Sequence, residues 1–121
     1  MIFAGKFRVK AKEIMSQQEV VSISKMKQDY KELYTLFDSL PQWNQRKNEV
    51  LLHEVRKVIE AQLVSEKKVQ SLLQQLQTGN IEKHRNSYGD MYVYFQKLSS
   101  DTQKEYYSEL VEIRDRFERG M

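Results

Sequence analysis

The chain of 121 residues has no cysteine, one proline and four glycines. Without cysteine there is no disulfide framework, no thiolate nucleophile and no cysteine metal site. So few helix breakers predict long, uninterrupted elements, and the abundance of Lys, Glu, Gln and Leu makes those elements helices rather than strands. No apolar run approaches the roughly 18 residues that span a bilayer, and Met1 to Gly5 is far shorter than the apolar region of a signal peptide. The expectation is a soluble, cytoplasmic protein with no membrane span.

Catalytic signatures are missing too. No nucleophile arrangement, glycine-rich phosphate loop or paired-carboxylate motif stands out. With 17 acidic residues, some pairs fall four apart by chance, such as Glu105 with Glu109. These read as a solvated face rather than an acid/base couple. Of the two histidines, His53 shares a helix face with Glu49, but two ligands on one turn do not make a metal site. His84 falls on an apolar seam and reads as a core or boundary histidine. The expectation is a non-enzymatic protein with no cofactor and no metal.

What the chain does have is helical periodicity. Residues 49–78 carry apolar residues at Leu51, Leu52, Val55, Val58, Ile59, Leu63, Val69, Leu72, Leu73 and Leu76, a broad stripe at helical spacing. The stripe weakens in the middle, where Gln62, Glu66 and Lys67 stand on the seam and Ser65 marks a place for a kink or a change of packing partner. Upstream, Ile23, Met26, Tyr30, Leu33, Phe37 and Leu40 follow the three-four repeat of packed helices. Downstream, Ile81, His84, Tyr88, Met91, Phe95 and Leu98 repeat it, then Tyr106, Leu110, Ile113 and Phe117.

Punctuation divides these stripes. Ser39 with Gln42 and Ser100 with Gln103 have capping-box spacing, and Pro41 suits a first helical turn. Gly79 is placed for a helix stop and Asn80 for a cap. Gly89 lies inside a helical pattern at a cost of about 1 kcal/mol relative to Ala. The predicted fold is an all-α, elongated antiparallel bundle. It has a long helical hairpin, about 10–40 and 44–78, and two shorter helices, about 81–98 and 101–119. One domain over 1–121 is expected, with 1–9 frayed or extended.

Two surface features suggest partners. Lys6, Arg8, Lys10 and Lys12 alternate with Phe7, Val9 and Ala11, a pattern that fits both a strand and one side of a helix. Four like charges so close are a candidate contact for an anionic partner. Net charge, however, is only +3, and no helix-turn-helix spacing supports base reading. Aromatic residues are the other feature: Tyr92, Tyr94 and Tyr107 fall beside the seams and Trp43 at a turn, the residue types that anchor protein interfaces. The expected function is a protein-protein interaction module, an adaptor, assembly factor or small chaperone, working as a homodimer. The alternative is a nucleic-acid-associated regulator using the basic cluster.

Overall fold

The computed structural model describes residues 4–78 and 85–119, and within these it contains five helices and no strand. They are α1 (Gly5–Ser16), α2 (Ile23–Asp38), α3 (Gln42–Thr78), α4 (Arg85–Lys97) and α5 (Ser100–Arg119). The all-α fold read from composition and periodicity is what the chain adopts. The expected stop at Gly79, cap at Asn80, seam positions Ile81 and His84, and the Phe117 side chain lie outside the described residues.

The chain divides into two compact units, Met1–Ala61 and Gln62–Met121. The long α3 supplies a helix to both.

In the first unit the expected helix over 10–40 is two helices. After Ser16 the Gln17 N–H turns back to the Glu13 and Ile14 carbonyls, and Val20 and Val21 N–H both reach the Gln17 carbonyl. Ser22 then restarts the chain as an N-cap, its Oγ accepting from the Lys25 N–H at 3.2 Å. A serine oxygen satisfies a donor that the first helical turn leaves orphaned, worth about 1 kcal/mol. Helical periodicity continues across such a break, which is why spacing alone reads through it.

The segment that alternates basic and apolar residues is helical. On α1 the buried residues are Phe7, Ala11 and Ile14, one face at spacings of four and three. Phe7 lies against Phe37 of α2, ring centroids 5.7 Å apart. Ile23, Met26, Leu33 and Leu40 are buried as the seam predicts, while Tyr30 and Phe37 are half-buried. Along α3 the first unit buries Leu52, Val55 and Ile59. Each such side chain contributes about 1.5–3 kcal/mol on leaving water. Two polar residues extend the stripe toward the start of α3. Asn48 donates from Nδ2 to the Asn44 carbonyl at 2.8 Å and to Asn44 Oδ1 at 3.0 Å, so both asparagines are buried with their polar atoms satisfied.

In the second unit α3 remains helical through Ser65, which is itself buried, and Val69, Leu73 and Leu76 continue the stripe. Met91 and Phe95 from α4, Leu98 just after it, and Leu110 and Ile113 from α5 are buried as well. α4 runs through Gly89 as helix. Its turn into α5 is held from α3: Gln62 Nε2 donates to the Lys97 carbonyl at 2.8 Å, and Gln62 Oε1 accepts from the Ser99 N–H at 2.9 Å. One amide thus satisfies both a carbonyl and an N–H of the turn. The polar gap in the α3 stripe is a hydrogen-bonding position.

The Ser39 capping box does not form as its spacing suggests. Ser39 Oγ donates back to the Leu36 carbonyl, and α5 begins at Ser100, with Ser99 Oγ paired to Thr102 Oγ1 at 2.8 Å. Instead, a glutamine early in each following helix reaches back to the helix before it. Gln45 Nε2 lies within 3.2–3.3 Å of the Phe37, Asp38 and Leu40 carbonyls. Gln103 Nε2 lies 3.1 Å, 3.4 Å and 3.0 Å from those of Phe95, Gln96 and Leu98. The last carbonyls of a helix have no intrahelical partner, and here a side-chain amide supplies it.

Candidate functional site

The four basic residues Lys6, Arg8, Lys10 and Lys12 all lie on α1, and the helix separates them. At 100° per residue, Lys6 and Lys10 project on one side of the buried Phe7–Ala11 line and Arg8 and Lys12 on the other. Lys10 is engaged within its own unit, with Nζ 2.9 Å from Glu32 and 3.3 Å from the buried Asp29. Its pKa is held above the ordinary lysine value, first by the hydrogen bond to Glu32 and then by Asp29, against the opposing effect of burial. Arg8 donates from Nε to Asn48 Oδ1 at 3.2 Å. Two of the four cations therefore have internal partners. Asp29 also receives Lys25 Nζ at 3.5 Å, so this buried carboxylate sits between two ammonium groups, as buried charges require.

The aromatic candidates divide between the units. Trp43, on the first turn of α3 in the first unit, is 53% exposed, with Lys47 Nζ 5.5 Å from its ring centroid. In the second unit Tyr107 on α5 is 58% exposed and Tyr92 on α4 is 44% exposed. Tyr92 stacks on Phe95 at 6.3 Å. Tyr94 lies on another side of α4, half-buried, with Lys97 Nζ 5.2 Å from its ring. It walls a surface groove of about 340 Å³ with Lys68, Leu72, Asp90, Val93 and Lys97. Tyr92 and Tyr94 thus face different surroundings, as two residues about 200° apart on a helix must.

The first unit has a comparable groove of about 390 Å³, formed by Gly5, Lys6, Val9, Lys10 and Glu13 of α1 with Leu36 of α2. It is shallow and mostly apolar, and its one tightly held charge, Lys10, is neutralised by Glu32.

Three residues that matter structurally are not among the candidate site residues read from the sequence. Tyr34 is 52% exposed and packs between Tyr30 and Phe37, with centroids at 6.5 and 6.4 Å; its place three and four residues from those two is the signal. Asp29 and Asn48 are polar residues on otherwise apolar faces. A polar residue at a seam position is a sign of a buried partner, and both have one.

Tyr106, on the α5 seam, is half-buried, and its hydroxyl receives Gln70 Nε2 at 2.7 Å. Burial raises its pKa above the ordinary tyrosine value, partly offset by that hydrogen bond. Tyr88 is raised as well, again chiefly by burial. His53 is exposed beside Glu49 on α3. Among the described residues no group of three His, Asp or Glu side chains is arranged to hold a metal ion, and no helix is long and apolar enough to cross a membrane. Comparisons with protein families, with curated proteins and with solved structures find no match.

Proposed function

We propose that the protein is a non-enzymatic interaction module, an adaptor, assembly factor or small chaperone that binds another protein through its helical surfaces and self-associates as a homodimer in the cytoplasm. The observation that supports this reading is the number of large apolar side chains left in water: Trp43, Tyr34, Tyr92 and Tyr107, with Val9, Val50, Val64 and Val93. Single exposed apolar residues are ordinary. Exposed Trp and Tyr are the residues that become anchors when a partner covers them.

The alternative, a nucleic-acid-associated regulator using Lys6, Arg8, Lys10 and Lys12, has less to support it. The helical form of α1 splits that cluster, and Lys10 and Arg8 are occupied by Glu32 and Asn48.

Sedimentation of the parent and of a Trp43→Ser, Tyr92→Ser, Tyr107→Ser variant tests the main reading. The parent should show concentration-dependent association at micromolar levels, and the variant should lose it with an unchanged melting midpoint. A parent that stays monomeric at those concentrations contradicts the homodimer. Binding to duplex DNA that weakens steeply with salt and is lost on Lys6→Gln plus Lys12→Gln would favour the alternative.

A further inference from the structure

We propose that the chain is a tandem duplication, in which residues 4–60 and 62–118 are two copies of one three-helix unit in fixed register. The register is set by Gln45 and Gln103, which lie 58 positions apart and make the same bonds. Around them Tyr30, Tyr34, Phe37 and Leu40 recur as Tyr88, Tyr92, Phe95 and Leu98. Further along, Leu52, Glu54, Arg56 and Glu60 recur as Leu110, Glu112, Arg114 and Glu118, without an insertion or deletion. Upstream, Ile23 and Lys25 recur as Ile81 and Lys83.

The backbone of the two turns agrees as closely as the letters do. Leu40 N–H bonds to the Phe37 carbonyl at 3.0 Å, and Leu98 N–H to the Phe95 carbonyl at 3.1 Å. Gln45 N–H reaches the Pro41 carbonyl at 2.9 Å, and Gln103 N–H the Ser99 carbonyl at 2.9 Å. Burial follows the same register. Leu33 and Met91, Asn44 and Thr102, Val55 and Ile113, and Ala11 and Val69 are buried in both. Helical periodicity alone repeats an apolar pattern; it does not repeat a glutamine with its three carbonyl partners.

The differences between the copies are matched in pairs. In the first copy Pro41 has no N–H, and the residue in register with Gln62 is the small, buried Ala4. In the second copy Ser99 takes the place of Pro41 and brings an N–H, and Gln62 accepts it at 2.9 Å. The donor at this position is absent in one copy and paired in the other. Residue size is swapped at a second pair of register positions. Phe7 and Asn48 stand in one copy where Ser65 and Tyr106 stand in the other. The Arg8 contact to Asn48 has its counterpart in a contact between Glu66 and Tyr106.

The register can be tested by transplanting one of these pairs into the full chain. Gln62→Ala leaves the Ser99 N–H without its acceptor and should lower the melting midpoint and speed amide exchange across residues 85–119. Adding Ser99→Pro, which recreates the Ala4 and Pro41 pair in the second copy, should recover most of both losses, a coupling that single variants cannot show. The control is Gln62→Ala with Ser100→Pro, which puts proline at the first helical position favoured by general helix rules but one residue out of register. It should not recover them. The duplication is overturned if Ser100→Pro restores stability as well as Ser99→Pro, if the in-register double variant is no better than Gln62→Ala, or if a chain with Ser99→Pro does not fold.

Discussion

The turn from α2 into α3 and the turn from α4 into α5 solve one problem with two chemistries. Both must satisfy the carbonyls that end a helix, and both do so with a glutamine side chain, Gln45 or Gln103, projected back from the next helix. They differ in the N–H at the bend. Pro41 removes it, whereas Ser99 keeps it and depends on Gln62 from a third helix. The comparison teaches that a polar residue in an apolar stripe has to be judged with the backbone groups it faces. Gln62 interrupts the α3 seam because the turn it meets has a serine, not a proline.

If the two units are built alike, equivalent changes should cost alike. The largest effects should come from the buried pair Leu33 and Met91, both fully enclosed. Truncation of either to alanine should destabilise by about 2–5 kcal/mol in urea unfolding. A loss confined to one member of the pair would break the equivalence. Gln45→Ala and Gln103→Ala come next, at about 1 kcal/mol each, because each removes the amide that its helix-terminal carbonyls share. Amide exchange should show the loosening at residues 37–40 in one variant and 95–98 in the other.

Alkaline pH separates the units by mechanism. Lys10 has a folded pKa above its ordinary 10.5, so its stabilisation of the first unit is complete below that pH and is lost as pH rises through the folded value. In the second unit Tyr106 and Tyr88 are raised above 10.0 by burial. The unfolded phenols ionise first, so their stabilisation too is present below pH 10.0 and fades as pH rises through the folded values. Lys10→Met should flatten the alkaline loss of amide protection in α1 and α2 while leaving that of α4 and α5 unchanged. An unaltered pH profile in α1 and α2 would remove Lys10 from the account.

The smallest effect is a gain. Gly89 occupies the register position of Lys31, and a Cβ added there meets nothing within 4 Å. Gly89→Ala should stabilise α4 by about 0.5–1 kcal/mol through the entropy of the unfolded chain. A destabilised variant would mean that the glycine has a role beyond propensity.

Much of the fold was legible in the sequence. The seams through Ile23, Met26 and Leu33, through Val55 and Ile59, and through Met91, Phe95 and Leu98 are buried as their spacing indicates. The break at residues 17–22 was not legible, because periodicity survives a short turn and the only local sign was Ser22. One of the two capping-box pairs contains Gln103, but its amide reaches the carbonyls that end the preceding helix. Spacing shows that a glutamine can reach a helix start; it does not reveal the orphaned carbonyls of the preceding helix. The basic run was visible as charge, but the pairing of Lys10 with Glu32 and Asp29 depends on tertiary contact. Of the exposed aromatic residues, Tyr34 widens the α2 seam and has an exposed counterpart in register, Tyr92. The other three candidates, Trp43, Tyr94 and Tyr107, face Asp101, Leu36 and Glu49 in register.

The central claim, that one glutamine device closes both helical hairpins, is tested most directly by NMR on the side-chain amide protons of Gln45 and Gln103. Both NH2 groups should exchange well below the rate of a free glutamine amide. They should also show contacts to the residues ending the preceding helix, Phe37 to Leu40 for one and Phe95 to Leu98 for the other. Free-rate exchange at either glutamine, with no such contacts, would contradict it.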